Sequence, residues 1–419
     1  MDEMSIENFG LNNAEAYFKR GNAYSDLKEY DKAIADYDKA IELKPDNAEA
    51  YFNRGIVYCN LKQYKKAIAD YGKAIELKPD YADAYHNRGT AYYNLEQYEQ
   101  ALADYDKAIE LTPDDMDAYN NRGIAYGSLG QYEKAIADYD KAIELNPNYA
   151  EAYNNRGVTY DNLEQYEKAL ADYDKAIELK PDDAEAYNNR GNAYFNLKQY
   201  KQAIADYDKA IELNPDDAEA YNNRGLDYYN LEQYEKALAD YDKAIELKPD
   251  LAEAYNNRGI AYYGLGYEQA IADFDKVIEL NPDDAKVYFN RGLAYYNLEQ
   301  YEQALADYDK AIELTPDDMD AYYNRGNAYF NLKQYEKALA DYDKAIELKP
   351  DLAEAYYNRG NAYSGLEKYE KAIADYDKAI ELKPDLAEAY NNRALVYDAL
   401  GETEKAEANR AKAKELGGD

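Results

Sequence analysis

Few residues in this sequence have the types and spacings that catalysis requires. The 419 residues include one histidine, His86, and one cysteine, Cys59, which is almost no material for a Cys/His or Ser/His/Asp arrangement. The glycines form no phosphate-binding loop, and the many carboxylates recur at fixed intervals, as residues of a solvated surface do. We therefore expect no catalytic site, no metal site and no cofactor.

A recurring asparagine offers a different chemistry, hydrogen bonding to a polypeptide backbone. The segment YNNRG at residues 187–191 returns with small changes about every 34 residues. The Asn amide carries both a donor and an acceptor, so a row of asparagines could hold an extended chain by its N–H and C=O groups. The candidate row is Asn53, Asn87, Asn121, Asn155, Asn189, Asn223, Asn257, Asn290, Asn324 and Asn358. The alternative is that Asn was copied with the repeat and is merely tolerated by solvent.

Aromatic residues accompany the asparagines. One set lies five residues after the arginine of the segment: Tyr93, Phe195, Tyr229, Tyr263, Tyr296 and Phe330. A second set directly precedes the candidate asparagine or its equivalent: Phe18, Phe52, His86, Phe289, Tyr323 and Tyr357. Exposed rings beside amides are typical of peptide-binding surfaces. The alternative, nearly as strong for the first set, is packing against an adjacent helix.

The arginine of the segment predicts a structural role. Arg190 and its equivalents lie on the apolar side of the pattern, and a half-buried guanidinium needs an acceptor. An aspartate of the segment ADYD, Asp206 after Arg190, follows in every copy except the last, which has Asn409. We therefore predict a ladder of Arg–Asp pairs, within or between neighbouring copies.

A repeated helical unit must position all these residues. The eleven prolines, from Pro45 to Pro384, are 34 residues apart, except for one interval of 33 that ends at Pro282. In residues 184–217, apolar residues recur every three or four positions, break at NLKQY, and resume until Asn214-Pro215. Twelve such units predict twelve helix pairs. Positions are counted from the first residue of each unit, so Asn189 is at position 6 and Arg190 at position 7.

The pattern Y-x2-R-G-x2-Y, followed by A-x3-Y-x2-A-x4-P, resembles the tetratricopeptide repeat, with Tyr where Trp or Phe is frequent. The resemblance covers residues 14 to about 416. It implies an all-α fold, an α-solenoid of antiparallel helix pairs stacked into a right-handed superhelix, whose first helices line a concave groove. Because one unit cannot bury its own apolar face, stacking must do so. The resemblance also places positions 2, 5, 6, 9, 12 and 13 in the groove, where we expect the asparagines and aromatic residues to bind peptide.

Composition sets limits on partners and location. The formal net charge of −36 disfavours nucleic acid and anionic membranes, and favours basic or neutral polypeptide. The single cysteine fits a reducing compartment, the N-terminus is not that of a signal peptide, and no apolar run is long enough to span a bilayer. We predict a cytoplasmic protein.

The predicted function is a non-catalytic protein–protein interaction scaffold that binds extended, preferably basic or neutral, polypeptide. Two alternatives remain: a structural or self-associating array that stacks head to tail, and a regulatory segment of a larger protein. We assign residues 1–13 to a leader or partial cap, 14–416 to twelve repeats, and 417–419 to a tail. The last repeat, 387–416, is predicted to end in a polar capping helix.

Overall fold

The computed structural model describes residues 13–417, which form 24 helices packed in antiparallel pairs, with no strand. The all-α fold and the twelve pairs were both predicted. The predicted leader lies outside the described residues except for Asn13, and so do the last two residues of the predicted tail. Contacts divide the chain into two compact units, Met1–Pro215 and Asp216–Asp419. The first contains the helices of repeats 1–6 and the second those of repeats 7–12.

Each repeat consists of a first and a second helix. The first helices are Ala14–Asp26, Ala48–Asn60, Ala82–Tyr93, Met116–Ser128, Ala150–Asn162, Ala184–Asn196, Ala218–Asn230, Ala252–Tyr263, Ala285–Asn297, Met319–Asn331, Ala353–Gly365 and Ala387–Ala399. The second helices are Tyr30–Leu43, Tyr64–Leu77, Tyr98–Leu111, Tyr132–Leu145, Tyr166–Leu179, Tyr200–Leu213, Tyr234–Leu247, Tyr267–Leu280, Tyr301–Leu314, Tyr335–Leu348, Tyr369–Leu382 and Thr403–Glu415. Every first helix begins at the residue predicted to open its repeat.

Short-range signals set these helix ends. Several first helices are capped by the residue before them; the Asp217 side chain, for example, accepts hydrogen bonds from the backbone N–H groups of Glu219 and Ala220. Between the two helices of most repeats, the residue at position 15 has a positive φ, as in Lys198 (φ 59°) and Glu232 (φ 59°). This left-handed residue reverses the chain. Repeat 8, which is one residue shorter, goes from Tyr263 to Tyr267 without one.

The core of each repeat is a close approach between a glycine and an aromatic ring. A Cβ atom added to Gly191, at position 8, would lie 2.6 Å from Cε1 of Tyr207, at position 24. The same contact recurs from Gly21–Tyr37 to Gly360–Tyr376, with Phe274 replacing Tyr in repeat 8. These rings are almost fully buried, as are the alanines around them. The tyrosines at position 24 therefore serve packing.

The predicted Arg–Asp ladder is confirmed. In repeats 1–11, the guanidinium Nε of position 7 donates to the carboxylate of position 23 at 2.6 to 2.9 Å. The Nη2 atom donates to the second oxygen of the same carboxylate, as in Arg190–Asp206 at 2.6 Å, so the pairs are bidentate. These aspartates are only 4 to 6% exposed. The hydrogen bond to Asp206 raises the pKa of Arg190, so the guanidinium keeps its charge.

The arginines also connect consecutive repeats. Nη1 donates to an aspartate at position 25 of the preceding repeat, as in Arg122–Asp106 and Arg325–Asp309, both at 2.6 Å. Repeat 2 is an exception because Gly72 occupies position 25, facing Arg88. The prediction named only the position-23 aspartates, and these pair within the repeat; the cross-repeat partner at position 25 was not predicted.

The second helix of the last repeat is mostly exposed. Only Ala406, Asn409 and Ala413 are buried in Thr403–Glu415. Asn409 takes the place of the usual aspartate and accepts a hydrogen bond from Arg393 Nε at 2.9 Å. Among the described helices, none is long and apolar enough to cross a membrane.

Candidate functional site

We define the first-helix face as positions 2, 5, 6, 9, 12 and 13 of the first helices. The asparagines at position 13, such as Asn60 and Asn196, are exposed, whereas the candidate asparagines at position 6 are half-buried. The position-6 side chains are held in place by their neighbours, and the contacts show how.

Most candidate asparagines donate a hydrogen bond to the preceding repeat. Nδ2 of Asn155, Asn189 and Asn257 donates to the position-5 asparagine there, at 3.0, 3.1 and 3.0 Å respectively. Asn358 donates to the hydroxyl of Tyr323 at 2.9 Å, and the amide nitrogen of Asn121 lies 3.0 Å from Nε2 of His86. Position 6 therefore forms a polar row along the first helices. Asn155, Asn189 and Asn257 each keep one further N–H and an oxygen with capacity for another partner. Asn358 also donates to Asn327 at 3.0 Å, so only its oxygen stays available.

The hydrogen-bond partner of the amide varies with the residues at positions 5 and 9 of the preceding repeat. When that residue is Phe52 or Phe289, it offers no acceptor. The amides of Asn87 and Asn324 then donate to backbone carbonyls of their own helices, at Asp83 and Asp320, both at 2.8 Å. Asn53, which follows a repeat with Phe18, donates instead to Asn22 at 2.9 Å.

Two candidate asparagines in the second unit remain. The Asn223 oxygen lies 3.4 Å from Nδ2 of Asn222. The Asn290 side chain makes no hydrogen bond to any residue within 13–417, and it lines a cavity.

The aromatic residues at position 12 pack on the first residue of the second helix. Ring centroids are 5.1 to 5.8 Å apart in Tyr93–Tyr98, Phe195–Tyr200, Tyr229–Tyr234, Tyr263–Tyr267, Tyr296–Tyr301 and Phe330–Tyr335. All six candidate rings remain half-buried rather than fully buried. The packing alternative thus accounts for part of the burial of these residues, and each keeps some exposed surface.

The position-12 hydroxyls join a second polar row. Asn331 donates to the Tyr296 hydroxyl at 2.8 Å, and Asn297 donates to that of Tyr263 at 2.5 Å. Burial raises the pKa of Tyr296, so its hydroxyl keeps its proton at neutral pH. The asparagine at position 13 of one repeat thereby holds in place the tyrosine at position 12 of the preceding repeat.

The aromatic residues at position 5 pack inward. Phe18, Phe52, His86, Phe289, Tyr323 and Tyr357 lie 5.7 to 6.1 Å from the position-24 tyrosine of the same repeat, measured between ring centroids. They form walls beside the asparagine row.

The single histidine and single cysteine belong to this packing. His86 Nδ1 lies 3.3 Å from Asp115, and Cys59 receives a hydrogen bond from the Tyr71 hydroxyl at 3.5 Å. Burial raises the pKa of Cys59, which disfavours a reactive thiolate. Across residues 13–417, no group of three or more His, Cys, Asp or Glu side chains is arranged to hold a metal ion.

Sequence reasoning overlooked one residue of this region, Asp227. It occupies position 10, where most repeats have alanine, and it is fully buried. Neither of its carboxylate oxygens has a hydrogen-bond partner among the described residues, and burial raises its pKa to about 8. Comparing position 10 across the repeats would have singled it out.

The helix pairs and their recurring contacts agree with comparisons of sequence. The TPR repeat matches residues 21–62, 57–96, 90–130, 225–266, 267–299, 295–333 and 326–366, together more than half of the chain. The tetratricopeptide repeat also matches 117–149, 150–183, 184–217 and 353–386, and in a further form 206–239 and 375–408. The chain belongs to the tetratricopeptide repeat family. Tetratricopeptide repeat proteins are generally non-catalytic scaffolds for protein–protein interaction, and no enzyme family is indicated.

Solved tetratricopeptide structures resemble the chain to differing extents. The APC/C hetero-tetramer Cut9–Hcn1 covers 99% of this chain and 96% of its own at 15% identity, with a TM-score of 0.47. Yeast Tom70 covers 96% of this chain and 95% of its own at 19% identity, with a TM-score of 0.41. YrrB, a TPR protein with an unusual peptide-binding site, covers 44% of this chain and 95% of its own at 34% identity, with a TM-score of 0.38. Among curated protein sequences, none matches.

Proposed function

We propose that this chain binds extended polypeptide segments, preferably basic or neutral, along the first-helix face of its repeats. The observation that carries the proposal is the row of half-buried asparagines at position 6. Hydrogen bonds such as Asn189–Asn154 (3.1 Å) fix these amides, so they need little further ordering when a ligand arrives. Their remaining N–H and C=O groups match the alternating donors and acceptors of an extended backbone.

The aromatic residues supply the apolar part of the same surface. The rings at position 12, such as Phe195 and Tyr229, pack against the tyrosines at position 17 and are only half-buried. Rigid aromatic side chains that lose little entropy on binding are favourable contacts for a peptide. We therefore assign backbone contacts to the asparagines and side-chain contacts to the rings.

Charge supports the preference for basic or neutral partners. Carboxylates such as Glu185 and Glu253 are exposed at position 2, within a chain of net charge −36. Such a field speeds association with basic segments and repels acidic ones, and both effects weaken with salt. A cytoplasmic location, supported by the single cysteine, is part of the same proposal.

A peptide array tests the proposal. Arrayed extended peptides with basic, neutral and acidic compositions are probed with the full chain at two salt concentrations. We expect basic peptides to be retained at low salt, with weaker retention after the triple substitution Asn189→Ala, Asn223→Ala and Asn257→Ala. Equal retention of acidic peptides would contradict the charge preference. No retention of any peptide, together with a particle length that grows with concentration in X-ray scattering, would favour the self-associating array.

A further inference from the structure

The missing residue in repeat 8 changes the surface at that point. The first helix ends at Tyr263, and Gly264 follows with φ −84°, where repeats 7 and 9 have Asn230 and Asn297. The next residue, Leu265, is 61% exposed, whereas Leu231 and Leu298 at the same position of the neighbouring repeats are half-buried. Losing the left-handed residue thus turns a leucine outward and removes a polar side chain.

A cavity of about 300 Å³ lies beside this turn. Its apolar lining comes from Tyr229, Ile260, Tyr263, Phe274 and Leu293, in repeats 7, 8 and 9. A second cavity of about 170 Å³ shares Tyr229, Ile260 and Gly264, and it extends to the exposed Leu265. An apolar cavity of roughly 150 Å³ holds a benzene molecule, so the larger one has room for an aromatic or long aliphatic side chain.

One amide side chain lines the larger cavity. Asn290, at position 6 of repeat 9, has no side-chain hydrogen bond to the residues that the structure describes, although most other asparagines of the row have one. Its amide can therefore donate to and accept from a backbone without breaking an existing bond. An apolar lining with one available amide suits a peptide residue whose side chain enters the cavity while its backbone stays at the surface.

We propose that this cavity anchors one large apolar side chain (Phe, Leu or Met) of the bound polypeptide, with basic residues on either side. The inference rests on the proposed function and gives it a fixed register, because one repeat differs from the rest. The basic flanks follow from the net charge of −36, which also disfavours a second copy of this chain as the occupant. An isolated apolar compound would leave the adjoining asparagine row unused.

Fluorescence anisotropy with two labelled peptides tests the anchor. Both are twelve-residue chains of alternating Lys and Ser; one has a central Phe and the other a central Ala. We expect the full chain to bind the Phe peptide at least about ten-fold more tightly, because burying that side chain removes a large apolar area from water. If both peptides bind equally, the anchor is wrong and the proposed function stands. If neither binds, both are wrong.

Two variants locate the effect. A Cβ atom at Gly264 would meet nothing within 4 Å, and its φ suits any residue, so Gly264→Leu can fill the cavity without strain. Replacing residues 264–266 by the repeat-7 sequence Asn-Leu-Glu-Gln restores the normal length. Both variants should lose the preference for Phe and bind the Ala peptide as the unmodified chain does. Asn60→Leu, at the same position of repeat 2, is the matched control and should keep the preference. If both repeat-8 variants keep it, the cavity is not the anchor.

Discussion

Two regions of each repeat differ in how much their residues vary from one repeat to the next. One is the seam, where the first and second helices of a repeat pack together, and the other is the first-helix face. In the seam, Gly191 and Tyr207 have equivalents in nearly every repeat, as do Arg190 and Asp206. On the face, position 5 is Phe, Tyr, His or Asn, and position 12 is Tyr, Phe, Gly, Ser, Cys or Asp. The seam admits one geometry because a glycine Cβ position lies within 3 Å of a buried ring. The first-helix face accommodates several residue types at the same position.

This difference separates residues that define the fold from residues that can define a partner. Repeats 3 and 6 have the same seam, yet Asn87 donates to its own helix and Asn189 to the preceding repeat. The repeats before them differ at position 5, which is Phe52 before Asn87 and Asn154 before Asn189. A uniform scaffold can therefore present a varied surface, and the following substitutions probe each side of the comparison.

The largest expected loss comes from breaking the buried ion pair of the seam. Arg325→Ala leaves the carboxylate of Asp341, 5% exposed, without its partner, and we expect a cost of about 3–5 kcal/mol in local unfolding free energy. Asp309, whose side chain is 56% exposed, makes only the cross-repeat bond to Arg325 among the described residues, so Asp309→Ala should cost less than about 1 kcal/mol. Hydrogen exchange resolved by repeat, with urea unfolding, measures both. Equal costs would contradict the assignment of the buried pair to the fold.

The substitution with the next largest expected effect should raise stability instead of lowering it. Asp227 has a pKa raised to about 8 by burial, from an ordinary value of 3.8. Between about pH 4 and pH 8 the folded chain holds a proton that the unfolded chain releases, so stability falls as pH rises through this window. We expect Asp227→Ala to be about 2–4 kcal/mol more stable at pH 7 and to lack that slope. Urea unfolding at pH 4, 6 and 8 checks this, and a pH profile unchanged by the substitution would contradict it.

Replacing two glycines by alanine should change stability in opposite directions and by smaller amounts. Gly191→Ala places a Cβ atom 2.6 Å from Tyr207 and should destabilise by about 1–3 kcal/mol. Gly127→Ala, in the helix Met116–Ser128, meets nothing within 4 Å and should stabilise by about 0.5–1 kcal/mol. Thermal unfolding followed by circular dichroism compares them. Destabilisation by both would mean that the close approach is not the cause.

Substituting two asparagines of the row separates their contribution to stability from their contribution to peptide binding. Asn189→Ala leaves the buried Asn154 oxygen without a donor and should cost about 1–2 kcal/mol, whereas Asn87→Ala should cost at most about 0.5 kcal/mol. Both should weaken peptide binding, measured by anisotropy with the Lys–Ser peptide that has a central Phe. If Asn87→Ala leaves binding unchanged, the row is structural.

The smallest expected effect comes from restoring the cross-repeat ion pair that repeat 2 lacks. Gly72→Asp supplies the missing position-25 carboxylate, and the added Cβ would lie 3.6 Å from Nη1 of Arg88 without a clash. A half-exposed pair of this kind should stabilise by about 0.2–1 kcal/mol. Urea unfolding with and without 1 M salt checks the gain, which should shrink in salt. Lower stability than the unmodified chain would contradict it.

The sequence predicted the helices well because proline spacing and apolar periodicity are local signals. The first helix of repeat 6 begins at Ala184 and the second ends at Leu213, as the pattern indicated. Arg190–Asp206 was also predictable, since a buried guanidinium requires a carboxylate. The partner of Asn189 was not, because it depends on Asn154 in another repeat. Nor was the cavity at Gly264, which arises where three first helices meet one short turn.

Photo-crosslinking tests the central claim, binding along the first-helix face, most directly. The probe is the Lys–Ser peptide with benzoylphenylalanine at its centre, and mass spectrometry maps the adducts on the full chain. We predict adducts at positions 5, 9 and 12 of first helices, concentrated at Ile260 and Leu293. Adducts on the second helices away from the cavity residue Phe274, for example around the exposed pair Lys310–Glu313, would contradict the account.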